Sequence, residues 1–323
     1  MATAKFSVLL LLLAFLICMA DGQGLKVGFY KKTCPKVETI VKKTMDKVMA
    51  VAPSLGGPLL RMHFHDCFVR GCDGSILLNS TQNSQAEKDS FPNLSLRGYQ
   101  IIDRAKSAVE KACPGVVSCA DIVALVARDA TVALKGPSWK VETGRRDGRV
   151  SISTEALTNL PSPFSNITTL IQGWQQKGLS RKDLVVLSGG HTIGTSHCGA
   201  FTNRLYNFTG KGDTDPSLDS NYIVNLKKKC KPNDQTTLVQ MDPGSFKTFD
   251  KNYYTLVAKR RGLFQSDSAL LNDSKTRIYV KHQAEHFKSS FFKDFGVSMV
   301  KMGRVGVLTG SAGEIRKVCS RIN

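Results

Sequence analysis

A mainly α-helical fold is predicted by three observations. Apolar residues recur at helical spacing in segment after segment, strand patterns are few and short, and capping residues mark several segment ends. Val37 to Val51 carries Val37, Ile40, Val41, Met45, Val48 and Met49 at intervals dominated by three and four, so one face would be buried. Pro58 opens a second helix, Leu59 to Phe68, because its missing N–H is not needed in a first turn. Ile101 to Ala112 is a third, stopped by Pro114. Ser118 caps the Ala-rich segment Cys119 to Leu134, with Asp121 in its first turn. Ile167 to Lys177 ends at Gly178, and Ser180 caps Arg181 to Leu187, which stops at Gly189-Gly190. Further helices are expected over Asn252 to Lys259, Ser274 to His282 and Glu285 to Val300. Asn207 to Pro216 and Cys230 to Asp250, rich in Gly, Pro and Asp, read as ordered loops.

The N-terminus predicts export. Lys5 gives a positive start, Phe6 to Met19 is almost wholly apolar, and small residues follow at Ala20 and Gly22. The run is short for a bilayer span of about 20 residues, so a cleaved signal peptide over 1–22 is favoured over an anchor. Residues 23–323 are then expected to be a single domain or two lobes around a site, with no later segment able to span a membrane. Cys18 lies in the leader. The remaining eight, Cys34, Cys67, Cys72, Cys113, Cys119, Cys198, Cys230 and Cys319, read as four disulfides, for which sequence leaves about 105 pairings. Five sequons, at Asn79, Asn93, Asn166, Asn207 and Asn272, agree with export. A net charge of +19 suggests a polyanionic neighbour. Export argues against nucleic acid and for an acidic cell-wall polysaccharide, while a basic, soluble surface without a specific partner explains the charge equally well.

Chemistry concentrates in Arg61-Met-His-Phe-His-Asp-Cys-Phe. On a helix, Arg61 and His65 share a face at i and i+4, with Phe64 beside His65. His63 and His65 would point about 200° apart, which does not suit one metal ion; on a strand they would share a face and a zinc site would be plausible. The helical spacing favours the first arrangement. For Arg61 and His65 alone, a structural ion network would be the simpler expectation. A second cluster changes the balance: Asp183 to Gly194, in which a capped helix ends at a glycine pair and presents His191. Far downstream, Asp267 is a carboxylate among apolar residues and needs a partner if buried. An imidazole N–H would serve.

These segments resemble the distal and proximal haem signatures of the secretory (class III) plant peroxidases. Leu59-Leu-Arg-Met-His-Phe-His-Asp-Cys-Phe-Val-x-Gly-Cys-Asp-Gly-Ser75 is similar to the first and Asp183-Leu-Val-Val-Leu-Ser-Gly-Gly-His-Thr-Ile-Gly194 to the second. Val117-Ser-Cys-Ala-Asp121, Gly144-Arg-Arg-Asp-Gly148, Asn159-Leu-Pro-Ser-Pro163 and Thr309-Gly-x-x-Gly-Glu-Ile-Arg316 follow the family's order. The resemblance extends from about Phe29 to Cys319.

The resemblance implies a helical haem-peroxidase fold with one haem b between distal and proximal lobes. It implies an enzyme that reduces hydrogen peroxide while oxidising small phenolic donors. His191 resembles the axial iron ligand, backed by Asp267. His65 resembles the general base, with Asn93 as its partner, Arg61 as fixed positive charge and Phe64 as a wall against bulky donors. Two calcium ions are implied: one held by Asp66, Val69, Gly71, Asp73 and Ser75, the other by Thr192, Asp242, Ser245, Thr248 and Asp250. The implied disulfides are Cys34–Cys113, Cys67–Cys72, Cys119–Cys319 and Cys198–Cys230. Asp121 and Arg145 resemble a buried ion pair, and Pro161, with Phe91 and Phe164, a donor site at the haem edge. Ser245 stands where a threonine is common, and Ala200 where some members carry a haem-edge phenylalanine. The implied protein is a secreted monomer. A non-enzymatic glycoprotein keeping this fold would be expected to lose Arg61, His65 or His191, and all three are present.

Overall fold

The computed structural model describes residues 24–286 and 289–323; the expected signal peptide over 1–22 lies outside them. Thirteen α-helices are present among the described residues. In chain order they are α1 (Val37–Val51), α2 (Gly56–Val69), α3 (Tyr99–Ala112), α4 (Cys119–Ala133), α5 (Ser153–Asn159), α6 (Ile167–Gln176) and α7 (Arg181–Ser188), then α8 (Asn203–Tyr206), α9 (Ser220–Lys229), α10 (Asn252–Ala258), α11 (Gln265–Ala269), α12 (Ser274–Glu285) and α13 (Phe291–Met302). Among the described residues, strands form two antiparallel pairs: β1 (Lys26–Val27) with β2 (Glu142–Thr143), and β3 (Thr195–His197) with β4 (Leu238–Gln240). None of these helices is long and apolar enough to cross a membrane.

One group of helices is built around α4, which packs against α1, α2 and α3. Ile122, Val123, Leu125 and Val126 of α4 are all fully buried. A helix apolar on every face has to be central, and each such side chain contributes about 1.5–3 kcal/mol of burial. Ser118 caps it by accepting from the Asp121 N–H at 3.1 Å, as the sequence predicts. In a second group α7 packs against α6, α12 and α13, and α10 against α12. A separate apolar cluster, including Phe201, Leu205, Leu218, Leu226 and Val239, lies under the 198–241 region. The Cys34–Cys113, Cys67–Cys72, Cys119–Cys319 and Cys198–Cys230 bonds match the pairing that the resemblance implied.

The two groups meet where α2 lies against the turn that follows α7. A Cβ on Gly57 would come within 2.9 Å of the Gly194 backbone, so this crossing requires glycine on α2. Gly189 also acts through space rather than conformation. Its φ of −59° suits any residue, but a Cβ would lie 2.5 Å from both Tyr254 Oη and the Phe291 ring.

Most helix ends fall within three residues of expectation, and one lies further off. α2 starts at Gly56, two residues before Pro58. The predicted start of the last helix at Glu285 is wrong: Glu285 ends α12, and α13 begins at Phe291. Lys251 Nζ donates to the carbonyls of Gln283 and His286, so a cation from a distant segment satisfies the end of α12 there. The short helices α5, α8, α9 and α11 were not foreseen; α9 is capped by Asp219, which accepts from the Tyr222 N–H.

Candidate active site

α2 places Arg61 and His65 on one face, as their spacing predicts, and Arg61 Nε donates to His65 Nε2 at 3.0 Å. Two further donors fix the guanidinium: Nη1 to Ser95 Oγ at 2.8 Å and Nη2 to the Pro92 carbonyl at 2.7 Å. Asn93 comes from the loop before α3. Its Nδ2 donates to the Glu87 carbonyl at 2.7 Å, so its Oδ1 is the atom that faces His65 Nδ1, 2.5 Å away. This arrangement assigns the tautomer: Nδ1 carries the proton, and Nε2 presents a lone pair. Burial, reinforced by the Arg61 charge, pushes the imidazole well below its ordinary pKa, against the opposing pull of Asn93. His65 is therefore a neutral base at neutral pH.

Phe64 stands beside His65, ring centroids 5.5 Å apart, and packs against Phe68 and the buried Trp174 of α6. His63 points elsewhere on α2 and approaches Cys67, whose sulfur is committed to the bond with Cys72. The helix thus removes the basis for a zinc site on His63 and His65.

His191 lies in a short 3₁₀ turn, Gly189–Thr192, at the end of α7. The Ser180–Asp183 capping box starts that helix. His191 Nδ1 lies 2.8 Å from Asp267 Oδ1 on α11, where Tyr253 Oη also donates at 2.8 Å; Asp267 Oδ2 accepts from the Phe264 N–H. Burial alone would raise the Asp267 pKa, but the His191 ring and these hydrogen bonds hold it below its ordinary value. His191 Nε2 has no hydrogen-bond partner among the described residues, and the side chain stays 39% exposed. A carboxylate-backed imidazole with one open nitrogen is the donor set that haem iron takes. The residues present fit the group.

Arg204 was not singled out by sequence reasoning, yet it braces this side. It is fully buried, pairs with Asp215 at 2.7 Å and donates to Ser268 Oγ, the neighbour of Asp267, at 2.6 Å. Asp121 and Arg145 form the expected buried pair at 2.8 Å, with Tyr30 Oη and the Gly144 N–H completing the carboxylate. Pro161 precedes a loop in which the Pro163 carbonyl accepts from the Ser266 N–H, tying this loop to the start of α11. Phe91 and Phe164 are exposed, 78% and 45%.

Beside His65, Asp66, Asp73 and Ser75 are buried, with Val69 and Gly71 on the chain between the two aspartates. Ser75 Oγ and both carboxylate oxygens of Glu87 are buried, with no hydrogen-bond partner among the described residues. Burial and the neighbouring Asp73 push Asp66 well above its ordinary pKa, and burial pushes Glu87 up to about 8. A cluster of buried carboxyl and hydroxyl oxygens whose charged forms lack compensation fits a hard cation. Glu87 was missed because a lone glutamate in a polar loop carries no local signal.

Beside His191, Thr192 Oγ1 lies 3.3 Å from both Asp242 Oδ2 and Asp250 Oδ1. Ser245 Oγ donates to Asp250 Oδ2 at 2.6 Å, and the Thr248 N–H to the Ser245 carbonyl. The five predicted residues therefore converge.

The sequence model of the peroxidase family, described as "Peroxidase", matches residues 37–286. Peroxidase 27 of Arabidopsis thaliana is 67% identical over 322 residues, covering 100% of this chain and 99% of the relative. Peroxidase 56 of the same plant is 64% identical over 301 residues (93% and 91%), and Peroxidase 1 of Oryza sativa subsp. japonica 59% over 321 residues (98% and 98%). With a family model matching most of its length and likeness along nearly the whole chain, this protein belongs to the peroxidase family, the haem-dependent oxidoreductases that reduce hydrogen peroxide while oxidising a donor.

Proposed function

We propose that His65 is the catalytic base, that Arg61 is the charge stabiliser and that His191 holds a single haem b, with phenols as donors. The arrangement of His65 between Asn93 and Arg61 carries this reading. Asn93 keeps the proton on Nδ1, so Nε2 alone can take a proton from hydrogen peroxide. Arg61 Nε occupies that lone pair at rest, and the peroxide takes its place. Bound at His191, haem supplies the iron and the two redox equivalents of the reaction. His65 returns its proton to the departing oxygen, which leaves as water. The Arg61 guanidinium, already fixed by Ser95 and Pro92, stabilises the negative charge that develops there. Asp267 fixes the tautomer and orientation of His191, and Phe64 walls the pocket.

Two calcium ions complete this reading. Asp66, Asp73 and Ser75, with the carbonyls of Asp66, Val69 and Gly71, would hold the first; Thr192, Asp242, Ser245, Thr248 and Asp250 the second. Donors would meet the haem edge at Pro161, Phe91 and Phe164. The chain is read as a secreted monomer, with a signal peptide over 1–22, a single domain over 23–323 and an affinity for anionic wall polysaccharide from its charge of +19. The test is reconstitution with haem. A Soret band should appear and peroxide-dependent oxidation of a small phenol should follow. Haem binding without turnover would refute the catalytic assignment.

A further inference from the structure

Aromatic rings form an unbroken file from His191 to the surface. The His191 ring meets Tyr253 at 6.0 Å between centroids, Tyr253 meets Tyr254 at 5.2 Å, and Tyr254 meets Tyr279 at 5.6 Å. Tyr253 and Tyr254 are buried, whereas Tyr279 on α12 lines a surface groove with Lys182, Val185, Lys275, Ile278 and His282. We infer that this file conducts oxidising equivalents outward, and that Tyr279 is a second oxidation site for carboxylate-bearing phenols too large for the haem edge. The inference rests on the peroxidase reading and extends it.

The hydrogen bonds suit that task. A tyrosine is oxidised readily only if its phenolic proton has somewhere to go. Tyr279 Oη donates to Asp294 Oδ2 at 2.9 Å. Lys182 and Ser290 also donate to Asp294 and keep its carboxyl below the ordinary pKa despite burial, so it stands ready as an anion. Tyr254 Oη donates to the carbonyls of Val185 and Val186, which cannot take up its proton, so Tyr254 is not itself oxidised and its ring only bridges the electron's path. Electron tunnelling falls off exponentially with distance, and contiguous rings keep each step short.

The chemistry balances. One electron leaves Tyr279 through Tyr254 and Tyr253 towards the centre oxidised by hydrogen peroxide, and the phenolic proton passes to Asp294. A donor phenol then gives its hydrogen atom to the Tyr279 radical: the donor O–H bond breaks, the Tyr279 O–H re-forms, and a donor phenoxyl radical departs. The proton on Asp294 is released to solvent. Two such events consume one peroxide.

Charge selects the donor class. Arg181, Lys182 and Lys275 edge the groove; Arg181 and Lys182 are paired to Asp273 and Asp294, while Lys275 has no ion-pair partner among the described residues. Exposed Ile278 supplies an apolar contact for an aromatic ring.

The holoenzyme is treated with hydrogen peroxide and a nitroso spin trap, and trapped tyrosines are located by peptide mass spectrometry. An adduct is expected on Tyr279. Tyr254→Leu should abolish it with Tyr279 still present, because leucine removes a ring from the file. In a second arm, one carboxylated phenol is supplied free or grafted to a polymer excluded from the haem edge. The grafted-to-free rate ratio should fall about tenfold or more in Tyr279→Phe. An unlabelled Tyr279 in enzyme that turns over, labelling indifferent to Tyr254→Leu, or an unchanged ratio would each overturn the inference alone. Holoenzyme inert with both donors would overturn the peroxidase assignments beneath it as well.

Discussion

Asn93 and His65 are joined by a 2.5 Å contact that uses one end of the Asn93 amide, while its other end donates to the Glu87 carbonyl. Asn93 is also the first residue of a sequon, and Ser95, the third, accepts from Arg61. A glycan needs the same Nδ2 and needs solvent, yet Asn93 is 1% exposed. Active protein should therefore carry an unmodified Asn93, whereas Asn79, Asn166, Asn207 and Asn272 are exposed and open to glycosylation. Glycopeptide mass spectrometry on the active fraction checks this; full occupancy at Asn93 would remove it as the partner of His65.

Replacing His65 tests proton transfer directly. His65→Leu should keep haem but slow reaction with peroxide by roughly 10²–10⁴-fold or more, the range for general acid–base catalysis. Arg61→Leu should slow the same step less. Near-normal stopped-flow rates in His65→Leu would eliminate it as the base.

The pH profile has a definite sign. Burial, with Arg61, depresses the His65 pKa, so Nε2 stays unprotonated through the ordinary imidazole range near ~6.5. The rate with peroxide should be flat across that range and fall only at more acidic pH. A fall centred near the ordinary value would mean that the depressed pKa does not govern the step.

Asp267→Asn should raise the ferric/ferrous potential of the holoenzyme, because His191 loses its anionic partner. It should also lower stability, since His191, Tyr253 and Phe264 would all lose a charged acceptor; one such bond contributes about 1.5–3 kcal/mol. A potential that does not move in spectroelectrochemistry would confine Asp267 to the second role.

Prolonged chelation should lower thermal stability and activity together. Asp66 and Thr192 adjoin His65 and His191 in the chain, so each ion would steady one histidine. An ion at a hundred times its Kd stabilises the folded state by about 2.7 kcal/mol through linkage. Metal analysis is expected to find two calcium ions per chain; none in freshly purified active protein would refute the assignment.

Local sequence determined what neighbouring residues can impose on one another. The i, i+4 spacing put Arg61 and His65 on one helix face, and Ser118 and Ser180 set helix starts as expected. Resemblance supplied the pairings between distant residues, including all four disulfides. Tertiary structure decided what depends on segments meeting. Lys251 caps the end of α12 from a distant segment, a contact that no local pattern signals. Glu87 became significant only once folding buried both of its oxygens beside Ser75, and Arg204 only when it met Asp215 and Ser268. The file from His191 to Tyr279 draws on three segments, each with ordinary tyrosines or histidine. Spacing along a chain fixes contacts within a helix, but burial and convergence arise only when the helices pack.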